Sequence, residues 1–585
     1  MLTEEGEALL PSKSRQPLQV QLMEPNRLAV KTEFTSANFT LRSEVDVIPA
    51  EGEPFCRIHY SAVSKLAGAF IVALRPFNPE GISFVYRVGV DPERRQWTIN
   101  DAGTVVFDPP MERHVVSDYR EGDVYSGLLQ KKEKPSKTCA IGMASAAAIY
   151  RLQPDEPLTV SLNVALDKDP EALNAPAIWN PEASWEDAFY KRFWFRDAVF
   201  ILHALLSVGL QDRAERAIDQ FLTRQTIAGY FESQKGEWDS NGQVLWIFHR
   251  FSELTGKNIR SPWLKAADKA ARWILRKRLP ANSVELQAGL LPAGFSAEHL
   301  GNNDFYYWDD FWGIAGLKAA AKIYERAGDY RRAEVFARGA EHFGLCVERS
   351  LLRSGKYRRH DAIPASPYRR MDAGAIGSIV AGYPLQLWPP QEPRLMNTLE
   401  FLLHNCFIDH AFFQDMIHSG FNMYLTLHCA QCLLRADDSR YLPLVEKVAE
   451  LASPTGHWPE AVHPQTLGGC MGDGQHAWAA AEWIMMIHNM FAAEEGDNLI
   501  LLRGVPQKWL QPDHPIKIGP IRTRFGALEI VVESAADAVE VNWKARWHTP
   551  PAGLFIQLPG TAPVQWDEPE NRNGRLSLSR NPTNG

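Results

Sequence analysis

The chain has 585 residues and a formal net charge of −8 at neutral pH. That length allows two or three domains, and the charge argues against a nucleic-acid partner, which would need a basic face. With 45% hydrophobic and 23% charged residues the composition is that of an ordinary globular protein, and no apolar run approaches the roughly 20 residues of a membrane span.

Seven cysteines, odd in number and scattered, do not form a disulfide framework. The start at Met1, Leu2, Thr3 and Glu4 lacks the basic and apolar regions of a signal peptide. The expectation is a cytoplasmic protein with no membrane partner, and nothing in the sequence sets its oligomeric state. The abrupt start in strand-like sequence leaves room for an upstream portion.

Residues 1–175 read as β. The runs from Val45, Cys56, Ala69 and Phe84 are short, rich in β-branched and aromatic residues, and separated by Gly, Pro and Asp turns. Their number predicts an N-terminal β-sandwich. Residues 176–185 lie in a proline-containing linker.

Over 186–496 the period becomes helical, and the helices are of two kinds. The runs from Ala198 and His476 are apolar nearly all round, as buried inner helices should be. Those from Asp212 and Trp263 are amphipathic, as outer helices should be. The kinds alternate, which predicts a mainly α fold: an (α/α)6 toroid, or six-hairpin barrel, of eleven or twelve helices. Residues 497–560 return to β and predict a small C-terminal β domain. The Pro-, Asn-, Ser- and Arg-rich residues 561–585 read as a poorly ordered tail.

Six polar turns precede the inner helices. Their markers are Asp197, Asp239, Asp310, Asp372, Ser419 and Asp473, spaced irregularly by 42 to 71 residues. The loops entering inner helices are long, and long structureless loops in a compact domain are usually functional. They concentrate Trp, Tyr, Phe and carboxylates; thirteen of the eighteen tryptophans fall between Trp179 and Trp483. Aromatic faces stack on the C–H faces of sugar rings, and carboxylates and Arg clamp hydroxyl pairs.

Aspartate before a helix is also a preferred N-cap. For Asp197, Asp239, Asp372 and Asp473 taken singly, capping competes with ligand contact. Capping explains less well the adjacent pair Asp309 and Asp310 after Trp308, and Glu460, which has no helix to cap nearby. Cys429 and Cys432, a C-x-x-C in an apolar run, read as buried core thiols.

The order of motifs resembles the glucoamylase family of six-hairpin glycosidases, and more loosely trehalases and rhamnosidases. Trp194-Phe195-Arg196-Asp197 is similar to the family's W-x-R-D. Asp239 through Gln243 to Trp246 is similar to its D-G-x-x-Q-x-L-W. Trp308-Asp309-Asp310 falls where the family has W-E-E, and Trp458-Pro459-Glu460 where it has W-x-E. One departure is the Asp at the acid position, one methylene shorter than Glu.

The resemblance implies an inverting, exo-acting glycosidase with no metal or organic cofactor, acting on a carbohydrate substrate. Asp309 or Asp310 would be the general acid and Glu460 the base, about 6.5–9.5 Å apart. Arg196, Asp197, Asp239 and Asp473 would hold sugar hydroxyls, and Trp238, Trp308 and Trp458 would form walls. His457 and His463 would hydrogen-bond substrate or backbone. Alternatives are a phosphorylase of the same architecture, a toroidal lyase, which the acidic loops disfavour, and a non-catalytic sugar-binding toroid.

Overall fold

The computed structural model describes residues 1–3, 19–23, 29–48, 55–78, 81–82, 85–100, 103–118, 120–122, 124–128, 133–140, 142–165, 193–233, 236–295, 303–358, 361–414, 420–453, 456–465, 467–471, 475–512, 514–535, 538–558 and 562–579. It divides into two compact units. The first comprises 1–191, 452–459 and 468–475; the second comprises 192–451, 460–467 and 476–585. The expected linker 176–185 lies outside the described residues.

The first unit is built on two antiparallel sheets. The smaller orders its strands Leu2–Thr3, Gly68–Leu74, Ser145–Leu152 and Arg113–Ser117, and the larger has nine strands. Alternate residues from both sheets meet in one apolar core. Phe70, Ala146 and Tyr150 of the smaller sheet join Phe34, Trp97 and Phe107 of the larger. Period-2 alternation therefore buries one face of each sheet against the other. The short helix α1, Val124–Gly127, packs at the edge of the smaller sheet.

The second unit is helical. Six inner elements are α2 (Phe195–Ser207), α4 (Ser240–Thr255), α6 (Tyr307–Arg326), a 3-10 segment (Ala373–Ala381), α9 (Met423–Arg435) and α11 (Ala477–Phe491). Each packs on the next in that order, and α11 packs back on α2, so the contacts close a cycle. The outer helices are α3 (Gln211–Phe221), α5 (Ser261–Lys277), α7 (Tyr330–Arg358), α8 (Pro393–Asn405) and α10 (Tyr441–Glu450). Every residue of α9 is buried, whereas α3 buries only Ala214, Ile218 and Phe221. The 3-10 segment buries all nine of its residues. It is rich in Gly and β-branched residues, which favour the α-helix less.

Aromatic rings fill the middle of the cycle. Phe200 stacks on Trp478, with ring centroids 4.7 Å apart, and Trp246 meets Trp312 edge-on at 5.6 Å. Such pairs each contribute about 0.5–1.5 kcal/mol beyond their buried area. Helices α4 and α6 cross with backbones almost touching. A Cβ on Gly242 would lie 2.1 Å from the Trp312 carbonyl oxygen, and one on Gly316 would lie 2.6 Å from the Gly242 Cα. Only glycine fits there. Gly256, with φ +72°, ends α4 in the left-handed conformation.

Two C-terminal sheets complete the second unit. They are not a separate compact body, because polar contacts tie them to the inner helices' C-terminal ends. His488 Nε2 bonds the Arg522 carbonyl at 2.9 Å, and Arg524 Nη2 lies 3.1 Å from Glu253 Oε1. The expectation of a poorly ordered tail from 561 fails over 562–579. Asn573–Ser579 pairs antiparallel with Ala538–Trp547, placing Leu576 opposite Val541 and Leu578 opposite Val539. Polar composition hid this strand, whose apolar residues alternate.

Candidate active site

The candidate site gathers at the N-terminal ends of α2, α4 and α6. Asp309 and Asp310 lie in the first turn of α6 and are 2% and 1% exposed. Consecutive helical residues are about 100° apart around the axis, and the two carboxyls have different surroundings.

Asp310 Oδ1 accepts the Leu291 N–H at 2.8 Å, which anchors the loop entering α6. Burial pushes the Asp310 carboxyl up to about 8, against the Leu291 hydrogen bond and the nearby Arg278 guanidinium. Burial also raises Asp309 well above the carboxylate range. Asp239, Asp310 and Glu237 add to that rise by like charge, and Arg196 opposes it. Asp309 Oδ2 is buried with no hydrogen-bond partner among the described residues. Asp309 is therefore a buried carboxyl that holds its proton more tightly than an ordinary aspartate.

Asp239 precedes α4, but its side chain makes no capping bond. Its Oδ2 instead accepts two N–H groups, Trp308 Nε1 and Gln243 Nε2, each at 2.8 Å. The α4–α6 crossing at Gly242 brings Trp308 within reach. Trp308 is 1% exposed, so its indole orients this carboxylate from inside the ring.

Arg196 is buried on α2, with Nε 3.8 Å from Asp197 Oδ2 and Nη1 3.7 Å from Glu237 Oε1. Its guanidinium lies over the Trp194 ring, 5.1 Å from the centroid. Glu237, 2% exposed, was not anticipated from the sequence. The available signal was a second acid two residues before Asp239 in a loop that it does not cap.

Other anticipated residues have other surroundings. Trp238 is half-buried against α5, its ring 6.0 Å from that of Trp273. Its Nε1 donates to the Ala293 carbonyl at 3.3 Å, and Lys277 Nζ sits 3.9 Å over its face. Asp372 is the true cap of the set, accepting from Gly374 N at 2.9 Å and from Arg369 Nε at 2.7 Å. Ser419 and Asp473 lie outside the described residues.

Glu460 is 6% exposed and precedes the strand Ala461–Val462, whose Val462 pairs with Phe421. In the first unit Trp458 is 3% exposed, and His457 is half-buried, with burial lowering its imidazole. His463 Nδ1 accepts from Gln465 N at 3.2 Å. Cys429 and Cys432 are buried in α9, where burial holds Cys429 well above the usual thiol range and pushes Cys432 up to about 12. Both are inert thiols. Among the described residues no cluster of His, Cys, Asp and Glu could hold a metal ion.

No protein-family model and no curated protein sequence matches the chain. Among solved structures, a bacterial glucoamylase complexed with acarbose matches with TM-score 0.52 at 12% identity, over 80% of this chain and 85% of that one. A putative kojibiose phosphorylase from human microbiome matches at 0.43 and 8% identity, over 94% of this chain and 84% of that one. The Glycoside Hydrolase Family 15 glucoamylase of Hypocrea jecorina matches at 0.38 and 10%, over 67% and 90%. The chain has a six-hairpin, glucoamylase-like fold.

Proposed function

We propose that the chain is a glycoside hydrolase on an (α/α)6 toroid, acting with inversion at the end of a small oligosaccharide or polysaccharide, in the manner of a glucoamylase or α-glucosidase. The observation that carries the reading is the surroundings of Asp309. It is a buried carboxyl raised by its neighbours, beside a carboxylate held as an acceptor and an arginine.

Asp309 is the general acid and donates its proton to the leaving glycosidic oxygen as the C1–O bond breaks. Glu460 is the base and takes a proton from the water that attacks C1 on the opposite face. Asp310, committed to Leu291, supports the loop entering α6. Arg196, Asp197, Glu237 and Asp239 hold hydroxyls of the terminal sugar, and Trp238 contributes an aromatic wall.

A panel of aryl-glycosides and oligosaccharides, with product anomers followed by proton NMR, tests this. Hydrolysis with inversion that is lost in both Asp309→Asn and Glu460→Gln is expected. Unchanged turnover in Glu460→Gln on every accepted substrate sinks the assignment of the base. Turnover that requires phosphate makes the protein a phosphorylase, and saturable sugar binding without turnover makes it a non-catalytic binder.

A further inference from the structure

The end of the helical ring away from Asp309 carries a second concave site. A cavity of about 210 Å³ opens among the C-terminal turns of α2, α4, α6, α9 and α11 and the first C-terminal strands. Lys318 lies nine residues along α6 from Asp309, about 14 Å at 1.5 Å per residue, so this cavity is not the candidate active site.

Its lining is cationic in a protein of net charge −8. Arg250, Lys318, Lys322, Arg435, Arg503 and Arg524 line it, against two carboxylates, Glu253 and Glu494. Arg250 reaches Glu253 at 2.8 Å and Glu494 at 3.0 Å, and Arg524 reaches Glu253 at 3.1 Å. Burial pushes Glu253 up, but Arg250, His249 and Arg524 outweigh it and leave the carboxyl at about 2. Glu253 is thus an ionised partner of Arg250 and Arg524, and Glu494 pairs with Arg250.

Outside the lining, Arg435 is matched by Glu495, Arg503 by Asp437 and Lys322 by Glu325. Lys318 has no carboxylate within ion-pair distance among the described residues, and it lines the cavity uncompensated.

Two further donors on the wall lack acceptors. Gln431, 1% exposed, keeps its Oε1 on Asn489 Nδ2 at 3.0 Å, while its Nε2 has no partner among the described residues. Arg503 Nη1 is likewise buried without a partner, although Arg503 Nε holds Asp437. A buried donor left unmatched loses its hydration with nothing in return. These three groups are donors, and the Tyr383 hydroxyl, also buried on the wall without a partner among the described residues, can donate as well, so an occupant that satisfies them presents acceptors and negative charge.

We propose that this cavity is a binding site for a small oxyanion, a phosphate or a carboxylate, held by Lys318 with Gln431 and Arg503. The site is independent of the glycosidase reading and stands or falls without it.

The test is calorimetric titration of the full chain with inorganic phosphate and, separately, citrate at matched ionic strength; the tighter of the two identifies the class of anion. One saturable site is expected. Lys318→Met should weaken it by about tenfold or more, the loss of one charge-assisted hydrogen bond. Lys318→Arg should restore most of it, Gln431→Leu should weaken it, and Arg196→Gln at the other end should leave it unchanged. Lys318 is exposed, so its variants keep the fold, which the thermal midpoint verifies. No saturable heat with either anion across the millimolar range overturns the proposal. So does binding that survives Lys318→Met and Gln431→Leu but is lost in Arg196→Gln.

Discussion

Asp309 and Asp310 are consecutive in the first turn of α6, yet their carboxyls meet different partners. Asp310 Oδ1 receives the Leu291 N–H at 2.8 Å, whereas Asp309 is raised by burial and then by its acidic neighbours Asp239, Asp310 and Glu237, with Arg196 opposing. The doublet that looked like one feature in the sequence is a loop anchor beside a carboxyl raised by burial and like charge.

Substitution should separate the two roles. Asp309→Asn is expected to lower kcat on the best substrate by about 10²–10⁴-fold, the usual worth of general acid catalysis, with little change in the unfolding midpoint. Asp310→Ala should lower stability by about 1–3 kcal/mol through the stranded Leu291 N–H and reduce kcat less. Steady-state kinetics beside urea unfolding of both variants reads the difference; equal kinetic losses would put the acid role back on the pair.

The pH dependence of stability has a definite sign at Asp310. Its folded carboxyl titrates near 8, while in the unfolded chain it titrates near about 4. Between those values the folded state holds a proton that the unfolded state has released. The stability linked to it is fully present below about pH 4 and lost as pH rises toward 8. Asp310→Asn keeps an acceptor for Leu291 and removes the titration. The thermal midpoint of the wild type, relative to Asp310→Asn, should therefore fall as pH is raised across that window. A flat difference would show that the carboxyl is ionised in the folded state.

The tight crossing of α4 and α6 predicts a severe effect from a small change. Gly242→Ala places a methyl 2.1 Å from the Trp312 carbonyl oxygen, and backbone cannot move aside as a flexible side chain can. Overpacking of this kind costs about 1–3 kcal/mol and occasionally more, and the upper end is expected here. The helices must separate, so the Trp308–Asp239 bond should lengthen. Urea unfolding measures the first effect and a crystal structure of the variant the second.

Trp308→Phe keeps most of the ring and removes one donor from Asp239 Oδ2, leaving Gln243 Nε2. The lost hydrogen bond is to a charged group, worth about 1.5–3 kcal/mol. If Asp239 holds a sugar hydroxyl, KM should rise more than kcat falls. A pure stability loss with unchanged kinetics would make the bond structural only.

The alternation of all-apolar and amphipathic runs was enough to read the two kinds of helix, because burial on all sides and burial on one side leave different 3.6-residue patterns. The period-2 runs likewise marked most of the sheets. The strand Asn573–Ser579 escaped because its two apolar residues, Leu576 and Leu578, sit in a polar stretch and show their purpose only opposite Val541 and Val539 of Ala538–Trp547. The C-terminal sheets were read as a domain because polar ties such as Arg524 to Glu253 leave no trace in local sequence.

At the site, the residue types were legible and their tasks were not. Acids before inner helices could be capping, binding or catalytic, and sequence position is the same for each. Asp372 caps the 3-10 segment, Asp239 receives Trp308, and Asp310 anchors Leu291. Glu237 was overlooked because its partner Arg196, on α2, is brought to it only by the fold. What the sequence alone determined was the order of helices and the set of carboxylates at their starts, since both follow from local period and composition. Which carboxyl is raised by like charges as well as by burial was decided only by the tertiary structure. That depends on groups from α2, α4 and α6, drawn together across more than a hundred residues of chain by a crossing that only glycine permits.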